Sequence, residues 1–224
     1  MHSQPKNSRR FKPASRIVRT ASTPNYIKIA ATIMLSLLFS YSFTLYTNAP
    51  VKWVLNKDCS LKVNGSTNVN KFSCVIPNYP KADTLLVQRT NVNESVKITG
   101  AMNLDVNAFD CHNPIMTKDL RKTLKSDKFP KLIVKFISLS KYPSPSEKQS
   151  LVKGAVTISL AGVTKQFNVD YRCISDASTT LTLIGNKEVN FSDFNIIPPR
   201  KLGGMIKTND ELSVEFVLKM TQLN

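Results

Sequence analysis

From Val51 onward the sequence is a series of short runs in which apolar and polar residues alternate, separated by turn-forming residues. Period-two alternation specifies half-buried β-strands, because successive side chains of a strand point to opposite faces. Residues 53–55 open the series, and 60–63 follow, stopping at Asn64-Gly65, a pair suited to a two-residue hairpin turn. Further runs fall at 68–75, 84–89, 95–106 and 133–137. The run 150–160 faces 165–171 across Ala161-Gly162, the predicted turn of a second hairpin. Runs at 179–184 and 211–220 complete the series, and 188–191 is read as a short extra strand. Residues 114–126 break the rhythm and predict one helix, with Pro114 at a first-turn position where no amide bond is lost. Its expected buried stripe is Ile115, Leu120 and Leu124, with Lys118, Arg121, Lys122 and Lys125 solvated. Phe129-Pro130 returns the chain to an extended form. Without βαβ alternation, about eight antiparallel strands predict a closed barrel, which removes exposed strand edges.

The chain ahead of this domain has a different composition. The 224 residues carry 31 Lys+Arg against 15 Asp+Glu, a formal net charge of +16. Seven of the basic residues lie in 1–28, which has no acid, three prolines and many Ser, Thr and Asn, and is read as a disordered basic region. An uncharged, mainly apolar run follows at 29–49. A basic flank before an apolar run is the order of a secretory signal peptide or a signal anchor, and the length permits a transmembrane span. The expectation is an exported protein, either periplasmic or anchored to the inner membrane facing the periplasm, with its folded domain at 51–224. The leader takes up much of the charge that would otherwise indicate nucleic acid, so no nucleic-acid partner is expected.

Cys59, Cys74, Cys111 and Cys173 all follow the apolar run, none in a CxxC pair. An even count in an exported domain fits disulfides. Three pairings are open, and the reading adopted is Cys59–Cys173 with Cys74–Cys111. His112 is the only histidine beyond the tail, which leaves no metal-ligand cluster and no expected cofactor.

Four segments carry a resemblance. DLRKTLKSDKFP (119–130) with LIVKF (132–136) is similar to R-D-x-H-L-x-S-x-x-F-F…Y-P-x-I-x-F of the YceI-like family. GAVTISLAGVTK (154–165) resembles its G-x-L-T-I-x-G-V-T stretch, NGSTNVNKF (64–72) its opening S-x-x-x-F-x-G, and SDFNI (192–196) its R-x-x-F-G-I. Lys118-Asp119 stands in place of Arg-Asp, Ser192 in place of Arg and Asn195 in place of Gly; the family histidine is absent, and the cysteines are additional. The resemblance implies an all-β, antiparallel, eight-stranded lipocalin-like barrel with one short helix. It also implies a long apolar lipid, such as a polyisoprenoid, in the lumen.

Lumen candidates are Phe72, Leu86, Ile98, Met102, Leu104, Ile133, Phe136, Ile158, Leu160, Phe167, Leu183, Phe194, Phe216 and Leu218, each of which the plainer reading assigns to barrel core. Asn68, Lys118 and Asp119 are candidates for meeting a head group at the mouth. The alternative function is an envelope structural module whose basic face meets a protein or polymer. Catalysis is not expected. The chain has no GxSxG, HExxH, GxGxxG or P-loop, Cys111-His112 is a poor nucleophile–base geometry, and Glu188 and Asp193 read as solvated strand ends.

Overall fold

The computed structural model describes residues 25, 26, 29, 49–89, 95–143, 147–176 and 179–223. The basic tail expected at 1–28 and the apolar run at 29–49 lie almost wholly outside the described residues. Among the described residues no helix is long and apolar enough to cross a membrane. The chain divides into two compact units, 1–47 and 48–224, and the second is the unit described below.

Its strands are β1 (Val51–Leu55), β2 (Ser60–Thr67), β3 (Lys71–Ile76), β4 (Thr84–Gln88), β5 (Val96–Asp105) and β6 (Lys131–Leu139). They continue with β7 (Gln149–Leu160), β8 (Val163–Asp176), β9 (Thr180–Asn190), β10 (Arg200–Lys201) and β11 (Ile206–Leu223). The helix α1 (Pro114–Thr123) connects β5 to β6. All strand pairs are antiparallel. Eight strands form a closed ring in the order β1-β4-β5-β6-β7-β8-β9-β11, sealed by the β1–β11 pairing. The fold is therefore an antiparallel eight-stranded barrel with extra strands and, among the described residues of this unit, a single sizeable helix.

The long strand β11 explains how the extra strands attach. Its C-terminal part pairs with β1, Lys52 opposite Leu223 through Leu55 opposite Met220. Its N-terminal part pairs with β2, from Val217 opposite Ser60 to Thr208 opposite Thr67. The β2–β3 hairpin thus prolongs the wall beyond β1. On the far side of β3, Val75 and Asp110 exchange two backbone hydrogen bonds of 2.7 and 2.8 Å. On the side of β5 that runs past the end of its pairing with β4, the Tyr79 hydroxyl accepts from Asn103 N at 2.9 Å and donates to the Asp83 carboxylate.

Local structure departs from the sequence expectation in three places. Asn64-Gly65 lies inside β2, opposite Ser73 and Phe72, and the chain turns instead at 67–70. Gly65 is needed because the Phe72 ring lies over it: a Cβ there would meet Phe72 Cζ at 2.3 Å. The segment 188–191 continues β9 to Asn190 and then enters a 3-10 turn. The helix ends at Thr123; Ile115 is 73% exposed and Arg121 is half-buried with its guanidinium donating to Phe109 O at 2.9 Å. Leu124 is buried as expected, but Thr117, not Ile115, is the buried residue of the first turns. The expected hairpin turn at Ala161-Gly162 is present, with both residues at positive φ as a type I′ turn requires.

The cysteines divide. Cys74 and Cys111 form a disulfide across the β3–Asp110 junction. Cys59 and Cys173 are buried free thiols, which corrects the second expected bridge. The topology gives the reason: Cys173 pairs with Leu183 on β9, which pairs with Leu218 on β11, and the Cys59 thiol meets Lys219 O of that strand. Two strands stand between them, and neighbouring strands are about 4.8 Å apart. A disulfide spans Cα atoms no more than about 7 Å apart.

Candidate functional site

The four segments that carry the resemblance are scattered over more than 120 residues, yet all converge on one end of the barrel. They supply the β2–β3 turn, the helix and its exit, the β7–β8 turn and the 3-10 turn after β9. Local chemistry fixes each piece. Asn113 caps α1, its side chain accepting from Ile115 N and Met116 N at 3.0 and 3.1 Å, and Pro114 occupies the first turn. Thr117 Oγ1 accepts from Cys111 N at 3.0 Å, tying the helix to the disulfide. The Phe129 ring covers Gly162 so closely that a Cβ there would meet it at 2.6 Å. Lys165 bridges to Asp193, which also accepts from Asn190 N at 2.9 Å. The loop before β11 is pinned twice: Lys201 bridges to Asp119 at 2.7 Å, and Asn68 pairs with Met205 O and Lys207 N at 2.9 and 2.8 Å.

These pieces enclose an apolar groove and, beneath it, an apolar void. The groove holds about 340 Å³ between α1, the β2–β3 hairpin and residues 199–208, with Phe72, Met116, Leu120, Phe191 and Ile206 in its walls and Asp119 and Lys201 at its edge. The inner cavity holds about 70 Å³ among Leu61, Phe109, Leu132, Val134, Ile158, Phe194 and Phe216. Leu120 and Phe191 belong to both walls, so the groove and the inner cavity adjoin at these two side chains. Beyond the cavity the lumen is filled. Phe167 stacks obliquely on Phe194 with centroids 5.9 Å apart, and Tyr171 meets Phe216 edge-on at 5.6 Å. A pocket for a drug-sized ligand holds about 300–1,000 Å³, a size the groove reaches and the inner cavity does not.

Among the sequence candidates, Ile98, Met102, Leu104, Phe136, Ile158, Phe167, Leu183, Phe194, Phe216 and Leu218 are buried inside the barrel. Leu160 is half-buried against the inner cavity and Phe72 against the groove. Leu86 and Ile133 point outward, a correction set by the strand pleat. Leu85, Val87, Leu132 and Val134 take the inward positions on their strands, and Leu86 is left 36% exposed. Of the head-group candidates, Asp119 stands at the groove edge, Lys118 is exposed, and both ends of the Asn68 amide are already bonded to the backbone. Sequence reasoning missed Leu120 and Phe191 as the side chains shared by the two walls. Leu120 was legible as helix stripe, but nothing in the sequence placed Phe191 beside it.

Burial pushes the Cys173 thiol up to about 11 and raises Cys59 as well, which leaves both as protonated, unreactive groups at neutral pH. The Tyr171 hydroxyl is buried without a hydrogen-bond partner, and burial raises its pKa. Cys111 is committed to its disulfide and offers His112 no thiolate. The Lys165 ammonium and the Asn190 amide hold Asp193 below the ordinary carboxylate range, so Asp193 serves the cap, while Glu188 is exposed on β9. Among the described residues no group of three or more His, Cys, Asp or Glu is placed to hold a metal ion.

No protein-family model matches the sequence, and no curated protein does. Solved structures do resemble the fold. BcnA of Burkholderia cenocepacia is 14% identical, with a TM-score of 0.53 over 72% of this chain and 95% of its own. A polyisoprenoid binding domain from Saccharophagus degradans is 12% identical, with a TM-score of 0.54 over 75% of this chain and 97% of its own. At that identity the likeness shows the shared barrel fold alone.

Proposed function

We propose that this protein is a non-catalytic, exported binding module that takes up a long apolar lipid, a polyisoprenoid among the candidates, through the helix end of its barrel. The observation that carries this reading is the apolar groove of about 340 Å³ that shares Leu120 and Phe191 with the wall of the inner cavity. An apolar chain laid in the groove loses contact with water along its length, which favours binding by about 25 cal/mol per Å² buried. Rotation of these two side chains gives its tip access to the lumen. The polyisoprenoid binding domain from Saccharophagus degradans, which shares this fold, supports the ligand class. The Cys74–Cys111 disulfide supports export, because such bonds persist in oxidising compartments. A signal peptide or anchor at 29–49 would deliver the domain to the periplasm.

Solvent extraction of the natively purified protein followed by mass spectrometry tests the reading. A stoichiometric long-chain lipid is expected. Titration of the extracted protein with a polyisoprenoid alcohol should give saturable binding, weakened at least tenfold by Leu120→Trp, which fills the groove. Empty extracts together with no saturable uptake would overturn the proposal.

A further inference from the structure

Large apolar side chains are normally exposed singly and scattered, so a cluster of them marks a contact surface. Within 49–223, six described large hydrophobic side chains are more than 60% exposed, and five of them are Val69, Ile115, Ile197, Leu202 and Met205. All five belong to the helix end. Val69 and Ile115 line the groove; Leu202 and Met205 flank the loop whose Lys201 and Ile206 also line it; and Ile197 lies two residues before Pro199. The Asn68 bonds to Met205 O and Lys207 N hold the Val69 turn against the Met205 loop. Leu202 is held out by an unfavourable backbone. It has φ +50°, followed by Gly203 at +65° and Gly204 at +97°, and no atoms crowd either glycine. A branched residue kept left-handed at a loop tip is strained, and such strain persists where the conformation serves a contact.

The charge around this rim is one-sided. Lys71, Lys118, Arg200, Lys201 and Lys207 lie on the elements that carry it, while Asp119 is already paired with Lys201 and Asp210 with Ser192. An apolar rim inside a basic collar matches the two layers of an anionic membrane surface, with acyl chains for the rim and phosphates for the collar. We infer that the helix end of the barrel docks on an anionic lipid bilayer through Val69, Ile115, Ile197, Leu202 and Met205. The benefit of docking there, passage of an apolar ligand between bilayer and groove without crossing water, rests on the proposed lipid binding. The docking itself rests on the rim and its charge.

The test uses the full chain with a polarity-sensitive fluorophore on Leu202→Cys or Met205→Cys, the native free thiols being buried. A Leu151→Cys label serves as control; Leu151 is 76% exposed, opposite Arg172, at the end of the barrel where β1 begins. Vesicles of phosphatidylglycerol and phosphatidylcholine should shift both rim labels to the blue and leave the control unchanged. Arg200→Ser and Lys207→Ser should each weaken the response about fivefold. High salt should abolish it. Rim labels that stay unshifted on these vesicles, or shift no more than the control, would overturn the inference. So would a shift on neutral vesicles indifferent to salt, or one without vesicles that grows with protein concentration and reports a second copy instead. Because no vesicle enters the extraction experiment, failure of docking and failure of lipid binding are separately readable.

Discussion

The two ends of the barrel are built from the same strands and closed by opposite means. At the strand end, Trp53 of β1 and the loop residues Arg89 and Tyr142 make the plug. Trp53 packs against Tyr142 with centroids 6.3 Å apart, and the Arg89 guanidinium lies 3.3 Å above the Tyr142 ring. The space left there is about 20 Å³. At the helix end, a separate segment is laid over the opening, held by one disulfide and two ion pairs, with the groove and cavity beside it. Trp53 cannot leave the plug without opening the sheet that carries it, whereas a helix anchored at its edges can shift while the barrel stays closed. The proposed lipid therefore has its entry at the helix end.

The sharpest way to break the contrast is to remove the plug. Trp53→Ala is expected to cost about 3–5 kcal/mol in urea unfolding while leaving lipid affinity at the helix end unchanged. Reduction of Cys74–Cys111 comes next: a bridge closing 37 residues is worth about 3–4 kcal/mol. A fall in melting temperature of about 10 °C should follow in calorimetry, with faster ligand exchange, and Cys59→Ser should not reproduce the exchange effect. Gly65→Ala should cost about 1–3 kcal/mol by displacing the Phe72 ring from its place over the hairpin. The change in groove shape should appear as altered lipid affinity, which Trp53→Ala should not show.

The smallest effect is electrostatic. Asp193 has a folded pKa held below the ordinary aspartate value of about 3.9. Its contribution is therefore fully present above about pH 4 and lost as pH falls through the folded value. With Lys165 half exposed, the pair is worth less than about 1 kcal/mol. An acid titration of stability in which Asp193→Asn loses the same amount as the native protein below pH 4 would show that the bridge does not hold the cap.

Strand positions were legible because the pleat imposes period two whatever surrounds it, and the hairpin at Ala161-Gly162 was legible because few residues tolerate two successive positive φ angles. Asn64-Gly65 shows the limit of that logic. The same glycine that would suit a turn was required under an aromatic ring donated by the neighbouring strand. Leu86 and Ile133 show a second limit, since alternation defines two faces but does not label the inner one. The helix stripe misled for a related reason: Ile115 belongs to an exposed rim, and its apolar character was read as burial.

The residues alone determined an antiparallel barrel with one helix between β5 and β6, because periodicity, turn chemistry and proline placement are local properties of the chain. Which cysteines bond, which side chains face the lumen and where the groove opens were decided by closure of the ring. Closure joined β1 and β2 to one long strand, brought Cys74 to Cys111 and left two strands between Cys59 and Cys173. Those outcomes depend on contacts between residues far apart in the chain, and only the assembled barrel brings such residues together.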